Sequence, residues 1–196
     1  TGSGNDAVVT DPQDDLGVFS FEILSPVSLD EGSVAVRGQP LVLAATFSDP
    51  DSAVAWDFGD GGTAAAAQAM HVYVATGTYR VELTIVDTAG NQVTIRRDLP
   101  ITETAMQVDP QDVTLTALAV GGTLGDDRIL INKHNSRGEV KVLRDGGSLG
   151  IFAPTGHLLV YGQAGDDYLE VAGSVVLAAW LFGDEGHDQL KGGGGA

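Results

Sequence analysis

The chain has no cysteine, and it carries only 10 basic residues against 27 acidic ones in 196, for a net charge of -17. Without cysteine no disulfide staples the fold, which fits an acidic bacterial surface protein better than a small animal secreted domain. The charge argues against phosphate backbones and anionic membranes as partners, so neither nucleic acid nor membrane insertion is expected. Divalent cations are the natural counter-ions. No stretch approaches the roughly 18 to 20 apolar residues that a membrane helix needs. Thr1 to Ala7 has neither a basic n-region nor an apolar h-region, so an export signal is expected outside this sequence. There is also no H-E-x-x-H, Walker loop, complete EF-hand pattern or basic aromatic surface.

What is present is 43% apolar content, enough for a real core in one or two domains. Helical periodicity is scarce, and short alternating runs rich in Val, Ile, Leu, Thr and Tyr recur between Gly and Asp clusters. The chain therefore reads as all-β, with strands over Leu41–Phe47, Thr78–Val86, Gln92–Arg96, Val140–Leu143, His157–Tyr161 and Val175–Phe182. Ala64–Met70 is helix-prone but short, and is expected to be a loop or a single turn.

The first specific signal is an ordered series: Trp56-Asp57-Phe58-Gly59-Asp60-Gly61-Gly62, His71-Val72-Tyr73, Gly77-Thr78-Tyr79, and Val86-Asp87-Thr88-Ala89-Gly90-Asn91. It resembles a PKD domain over about residues 18–103. The resemblance implies a seven-stranded, immunoglobulin-like β-sandwich, with no activity of its own. The residues make sense in one: Trp56 and Phe58 alternate inward, as do Tyr79, Val81 and Leu83. Gly59-Asp60-Gly61 supplies the positive φ angles of a tight turn.

Asp49, Asp51, Asp57 and Asp60 form an acidic group that reads as turn caps rather than a metal or acid–base site. His71 reads as structural, and Trp180 and Tyr73 as core more than as glycan platforms. Gly146-Gly147-Ser148-Leu149-Gly150 formally matches a nucleophile elbow, with His157 nearby. It follows a hairpin turn with no helix after it, so no catalytic serine and no enzyme activity are expected.

The second signal is a loop that recurs three times: Gly122-Thr123-Leu124-Gly125-Asp126-Asp127-Arg128-Ile129, Gly162-Gln163-Ala164-Gly165-Asp166-Asp167-Tyr168-Leu169, and Gly183-Asp184-Glu185-Gly186-His187-Asp188-Gln189-Leu190. All fit G-x-x-G-x-D-x-U, where U is a large apolar residue. They resemble the nonapeptide repeats of RTX, or hemolysin-type, calcium-binding proteins, departing mainly at the second glycine. Ca²⁺ takes six to eight oxygen ligands, here a carboxylate plus the carbonyls of glycine-permitted turns.

In that family one ion sits between stacked turns, and two nonapeptides make a coil of about 18 residues. Asp167 and Asp188 lie 21 apart, near one coil; Asp127 and Asp167 lie 40 apart, near two. The expected metal ligands are therefore Asp167 and Asp188, then Asp127, with backbone oxygens of Gly122, Gly162, Ala164, Gly183 and Glu185. Val171-Ala172-Gly173-Ser174-Val175, on the opposite edge, has no Asp and should hold no ion. Glu139–Leu143, Asp145-Gly146-Gly147 and Leu149–Phe152 read as an inserted β-hairpin.

The resulting organisation is a partial calcium repeat and linker at 1–17, the sandwich at 18–103, a linker or connecting strand at 104–116, and a short, degenerate calcium-binding parallel β-roll at 117–196. Gly2-Ser3-Gly4-Asn5-Asp6-Ala7-Val8 resembles the tail of the same repeat, and Gly192–Ala196 its head. Asp6 is thus an expected ligand in a site shared head to tail with a neighbouring copy of the chain. The functional expectation is a calcium-stabilised structural or adhesive repeat of a secreted surface protein or extracellular filament, with surface glycans or proteins as further partners. The alternative is a non-catalytic accessory region of a secreted calcium-dependent protease or polysaccharide-degrading enzyme.

Overall fold

The computed structural model of the chain describes residues 20–25, 27–29, 34–47 and 50–195. Among them every regular element is a β-strand. They divide into two compact units: one holds 20–25, 27–29, 40–47, 50–71 and 78–100, the other 34–39, 72–77 and 101–195. Asp6 and Asp49 lie outside the described residues.

The strands in the first half of the chain are β1 (Ser20–Ser25), β2 (Val27–Leu29), β3 (Ala35–Val36), β4 (Pro40–Thr46), β5 (Ala53–Asp57), β6 (Thr63–Ala64), β7 (Gln68–Val72), β8 (Gly77–Val86) and β9 (Gln92–Thr102). One sheet runs β2-β1-β4-β7 and the other β9-β8-β5-β6, with antiparallel pairing of β1 to β2 and β4, and of β5 to β6 and β8. Alternation sets the core: Leu41 and Leu43, Val81, Leu83 and Ile85, Val93 and Ile95 are all buried. Trp56 is buried as well and donates its indole N–H to the Ala66 carbonyl at 2.9 Å. Among the described residues eight of these strands fall wholly or mostly in the first unit, where the resemblance implied seven, and β3 falls in the second.

The turn after β5 follows its composition. Gly59 has φ 80, and a Cβ there would stand 2.6 Å from the Arg80 carbonyl oxygen. Asp57 caps the Gly59 amide and Asp60 the Gly62 amide, each at 2.9 Å, as the turn-capping reading implied. His71 bonds Asp60 at 2.7 Å and stacks on Phe58 with ring centroids 4.1 Å apart, so it fastens this turn to β7. The expected loop or turn at 64–70 is corrected here: Gln68–Val72 is a strand, because pairing with β4 and burial of Ala69 outweigh the helix propensity of the alanine run.

The second half contains β10 (Thr104–Val108), β11 (Thr116–Gly121), β12 (Arg128–Lys133), β13 (Val140–Arg144), β14 (Gly147–Phe152), β15 (Leu158–Tyr161), β16 (Tyr168–Val171), β17 (Ala179–Phe182) and β18 (Gln189–Lys191). Strands β11, β15 and β17 pair in parallel in one sheet, and β12, β16 and β18 in parallel in another. Leu118 and Val120 lie in register with Leu158 and Val160, and Ile129 and Ile131 with Leu169 and Val171. All eight are buried in one cluster. Leu159 and Tyr161 on the other face of β15 are buried too, with Val36 and Ala119, which explains why Leu158–Tyr161 is an unbroken apolar run.

The segment expected as a linker or connecting strand at 104–116 contains a strand, and two other expectations are corrected. Thr104–Val108 is a strand antiparallel to β11 and so part of the second unit. Within Val175–Phe182 only Ala179–Phe182 is strand, since Val175 is buried from a turn closed by its own amide bonding the Ala172 carbonyl at 2.9 Å. Asp127 and Asp167 are one coil apart, not two, because β11 and β12 pair directly with β15 and β16 while the hairpin β13–β14 takes up the intervening residues at the sheet edge. That hairpin turns through Asp145 (φ 50) and Gly146 (φ 81).

Candidate cation site in the stacked turns

Each step from the first parallel sheet to the second passes through one of the recurring Gly-Asp turns, and the strand register stacks 122–127, 162–167 and 183–188 on one another. The last aspartate of each turn carries the stack. The Asp127 amide donates to Asp167 Oδ1 at 2.8 Å, and the Asp167 amide to Asp188 Oδ1 at 2.9 Å. A second ladder runs beside it: the Asp166 amide donates to Asp126 Oδ1 at 2.8 Å, and the His187 amide to Asp166 Oδ1 at 2.9 Å. The Asp126-Asp127 and Asp166-Asp167 doublets were the sequence signal for this second ladder.

The glycines that open the turns are fixed by close approach. A Cβ on Gly162 would collide with Asp167 Oδ2 and stand 2.8 Å from the Gly183 carbonyl oxygen. On Gly122 it would stand 2.5 Å from the Gly162 carbonyl oxygen and 2.8 Å from Asp127 Oδ2. In both gaps a carboxylate oxygen of one turn and a carbonyl oxygen of the next thus both lie within 2.8 Å of the place a Cβ would take. In the first gap Thr123 donates to the carboxylate oxygen, whereas in the second Asp167 Oδ2 has no donor, and it is there that a proton or a cation is called for.

Electrostatics sharpen this at the central turn. Asp167 is 1% exposed, and its Oδ2 is buried without a hydrogen-bond partner. Burial pushes its carboxyl up to about 6, and the charges of Asp127, Asp188 and Asp126 add to the shift. Burial also raises Asp127, against the bonds it accepts from Thr123. Among the described residues no three acidic or histidine side chains converge on a metal position, so carbonyls or water must complete any coordination shell.

Of the expected ligands, Asp127, Asp167 and Asp188 form the ladder, and the carbonyls of Gly162 and Gly183 face the gaps. The Gly122 carbonyl accepts the Gln163 side-chain amide at 2.7 Å, and the Glu185 carbonyl accepts the Gly165 amide at 2.9 Å. Ala164 forms a parallel bridge with Glu185. The glycine tail lies along the opposite edge, where the Gly194 amide donates to the Val175 carbonyl at 2.8 Å. Sequence reasoning missed Thr123, Gln163 and Arg144. Gln163 (φ 82) and Asp184 (φ 66) occupy the position of the missing second glycine and keep its left-handed backbone, so the departure from the pattern was their signal.

Other candidates resolve as structure. Ser148 is exposed on β14 of an antiparallel hairpin. His157 Nδ1 lies 2.7 Å from the buried Asp109 Oδ2, and its ring sits 5.1 Å from that of Trp180. Tyr73 is 1% exposed and belongs to the core.

A comparison with curated proteins gave no match. Among solved structures the chain is similar to the crystal structure of the PKD1 domain from Vibrio cholerae metalloprotease PrtV, at 28% identity and a TM-score of 0.33, over 42% of this chain and 93% of that one. The family model of the PKD domain matches residues 26–101. The chain therefore carries a PKD domain at residues 26–101, inside the 18–103 segment marked by its motif series.

Proposed function

We propose that this chain is a non-catalytic structural segment of an extracellular protein, in which the stacked turns take up Ca²⁺ and the PKD sandwich acts as a spacer. The observation that carries this reading is the buried, unpartnered Asp167 Oδ2 facing the Gly183 carbonyl, in a run of acidic turns. The donor set fits a hard cation, since it offers carboxylate and carbonyl oxygens and no thiolate. Asp167 and the Gly183 carbonyl would hold the ion, with Asp188 on the adjoining turn. Bound calcium supplies the positive charge that stacked carboxylates lack.

Without it, like charges and glycine-rich turns oppose ordering of the stack. Each ion bound only by the folded state adds RT ln(1 + [L]/Kd), about 2.7 kcal/mol at a hundredfold excess over Kd. Millimolar calcium outside cells would then stabilise the fold after export. Calorimetric melting and isothermal titration of the chain test this. The expected result is heat of calcium binding together with a melting temperature several degrees higher in millimolar calcium than in EGTA. No binding heat and identical melts would overturn it.

A further inference from the structure

The two gaps in the turn stack are built differently. In the first, between 122–127 and 162–167, both oxygens of Asp127 are engaged. Oδ2 accepts the Thr123 amide and, at 2.8 Å, the Thr123 hydroxyl. Oδ1 lies 3.5 Å from Arg144 Nε. In the second gap neutral Gln163 stands where Thr123 does, and its side-chain amide turns away to the Gly122 carbonyl. Asp167 Oδ2 receives nothing. Among the described residues no Lys, Arg or His nitrogen pairs with Asp167 or Asp188.

We propose that Arg144 is a built-in counter-ion that takes the place of a metal ion in the first gap, leaving the second gap as the one that takes Ca²⁺; the second clause rests on the calcium reading above. The Arg144 side chain is 18% exposed and that of Asp127 1%, so the pair is held in a poorly solvated place where charge matters. The guanidinium also meets Glu103 Oε1 at 3.0 Å and Asp145 Oδ2 at 3.9 Å, while Arg37 meets Glu103 at 3.2 Å. Its Nη2 donates to Glu103 Oε1, while its Nη1 is buried with no hydrogen-bond partner, so the hydrogen bonding of the guanidinium is only partly satisfied.

The inserted hairpin delivers this charge. Arg144 ends β13, and the adjoining Asp145 is clipped to the start of β12 by the Arg128 amide at 2.9 Å and by its own amide to the Arg128 carbonyl at 3.0 Å. The hairpin that takes the place of a coil thus also sets a guanidinium against Asp127.

The test has two arms. In EGTA, Arg144→Met should lower the melting temperature by about 2–4 °C, in line with loss of about 1 kcal/mol, and most of that loss should vanish when Asp127→Asn is already present. In a calcium titration followed by calorimetry, Arg144→Met should bind one more ion per chain than the wild type, whereas Arg144→Lys should keep the wild-type stoichiometry. Equal destabilisation in both Asp127 backgrounds overturns the counter-ion role, whatever calcium does. Unchanged stoichiometry in Arg144→Met, in a wild type that binds calcium, overturns it as well. A wild type that binds none sinks the calcium reading, and the EGTA arm still decides whether Arg144 acts on Asp127.

Discussion

Asp167 accepts the Asp127 amide through Oδ1 at 2.8 Å and keeps its other oxygen buried without a partner. One oxygen therefore specifies the stacking of two turns, and the other carries an uncompensated charge. The same carboxylate is a structural acceptor and a liability in the metal-free fold.

Asp167→Asn separates the two roles. The asparagine carbonyl still accepts the Asp127 amide, while its NH₂ faces the Gly183 carbonyl as a donor where the native atom was a second acceptor. A carboxyl held at about 6 instead of its ordinary 3.8 costs the ion-free fold about 3 kcal/mol at neutral pH. The variant should recover about 1–3 kcal/mol of this in EGTA and lose most of the calcium-dependent rise in melting temperature. A calcium response as large as the wild type's would show that Asp167 is no ligand.

Two glycines should respond very differently to alanine. Gly165 has φ 117, and a Cβ there would stand 2.6 Å from the Gly125 carbonyl carbon and 2.7 Å from the Asp126 nitrogen, both backbone atoms of the neighbouring turn. Gly146 has φ 81, but a Cβ there would meet open space. Gly165→Ala should therefore lose about 3 kcal/mol or more through strain and a backbone clash. Gly146→Ala should lose about 1 kcal/mol through backbone strain alone. Urea unfolding of the two variants makes the comparison, and equal losses would contradict the stacked geometry.

The parts legible in the sequence were those fixed locally. Alternation placed Leu41 and Leu43 in one face of β4, Asp145-Gly146 marked the hairpin turn, and the recurring Gly-Asp loops marked the turns that stack. What was not legible depended on partners distant along the chain. The 40-residue interval between Asp127 and Asp167 looked like two coils because, although the hairpin itself was legible, nothing local reveals that it stands at the sheet edge in place of a coil. Arg144 carried no signal, since its role exists only once β13 pairs with β12 and brings it to Asp127. Gln68–Val72 was missed for the same reason: its strand is imposed by pairing with β4, against its own propensity.

The last prediction concerns pH and a different carboxylate. Asp109 is fully buried, and burial alone would push its carboxyl up. The opposing bonds win: the His157 amide and ring, the Gln111 amide at 2.9 Å and the Asp112 amide at 3.1 Å hold it at about 2. A carboxyl lower in the folded than in the unfolded chain contributes stability that is present above the unfolded value, near 4, and is lost as pH falls through about 2. The contribution amounts to about 2 kcal/mol. Asp109→Asn should remove it, because the amide nitrogen cannot accept from the donors that surround it. Wild type and variant should accordingly differ by about 2 kcal/mol at pH 5 and converge towards pH 2, as measured by urea unfolding across that range. Parallel stability curves from pH 5 to pH 2 would mean that the Asp109 cluster does not hold its carboxylate as the geometry implies.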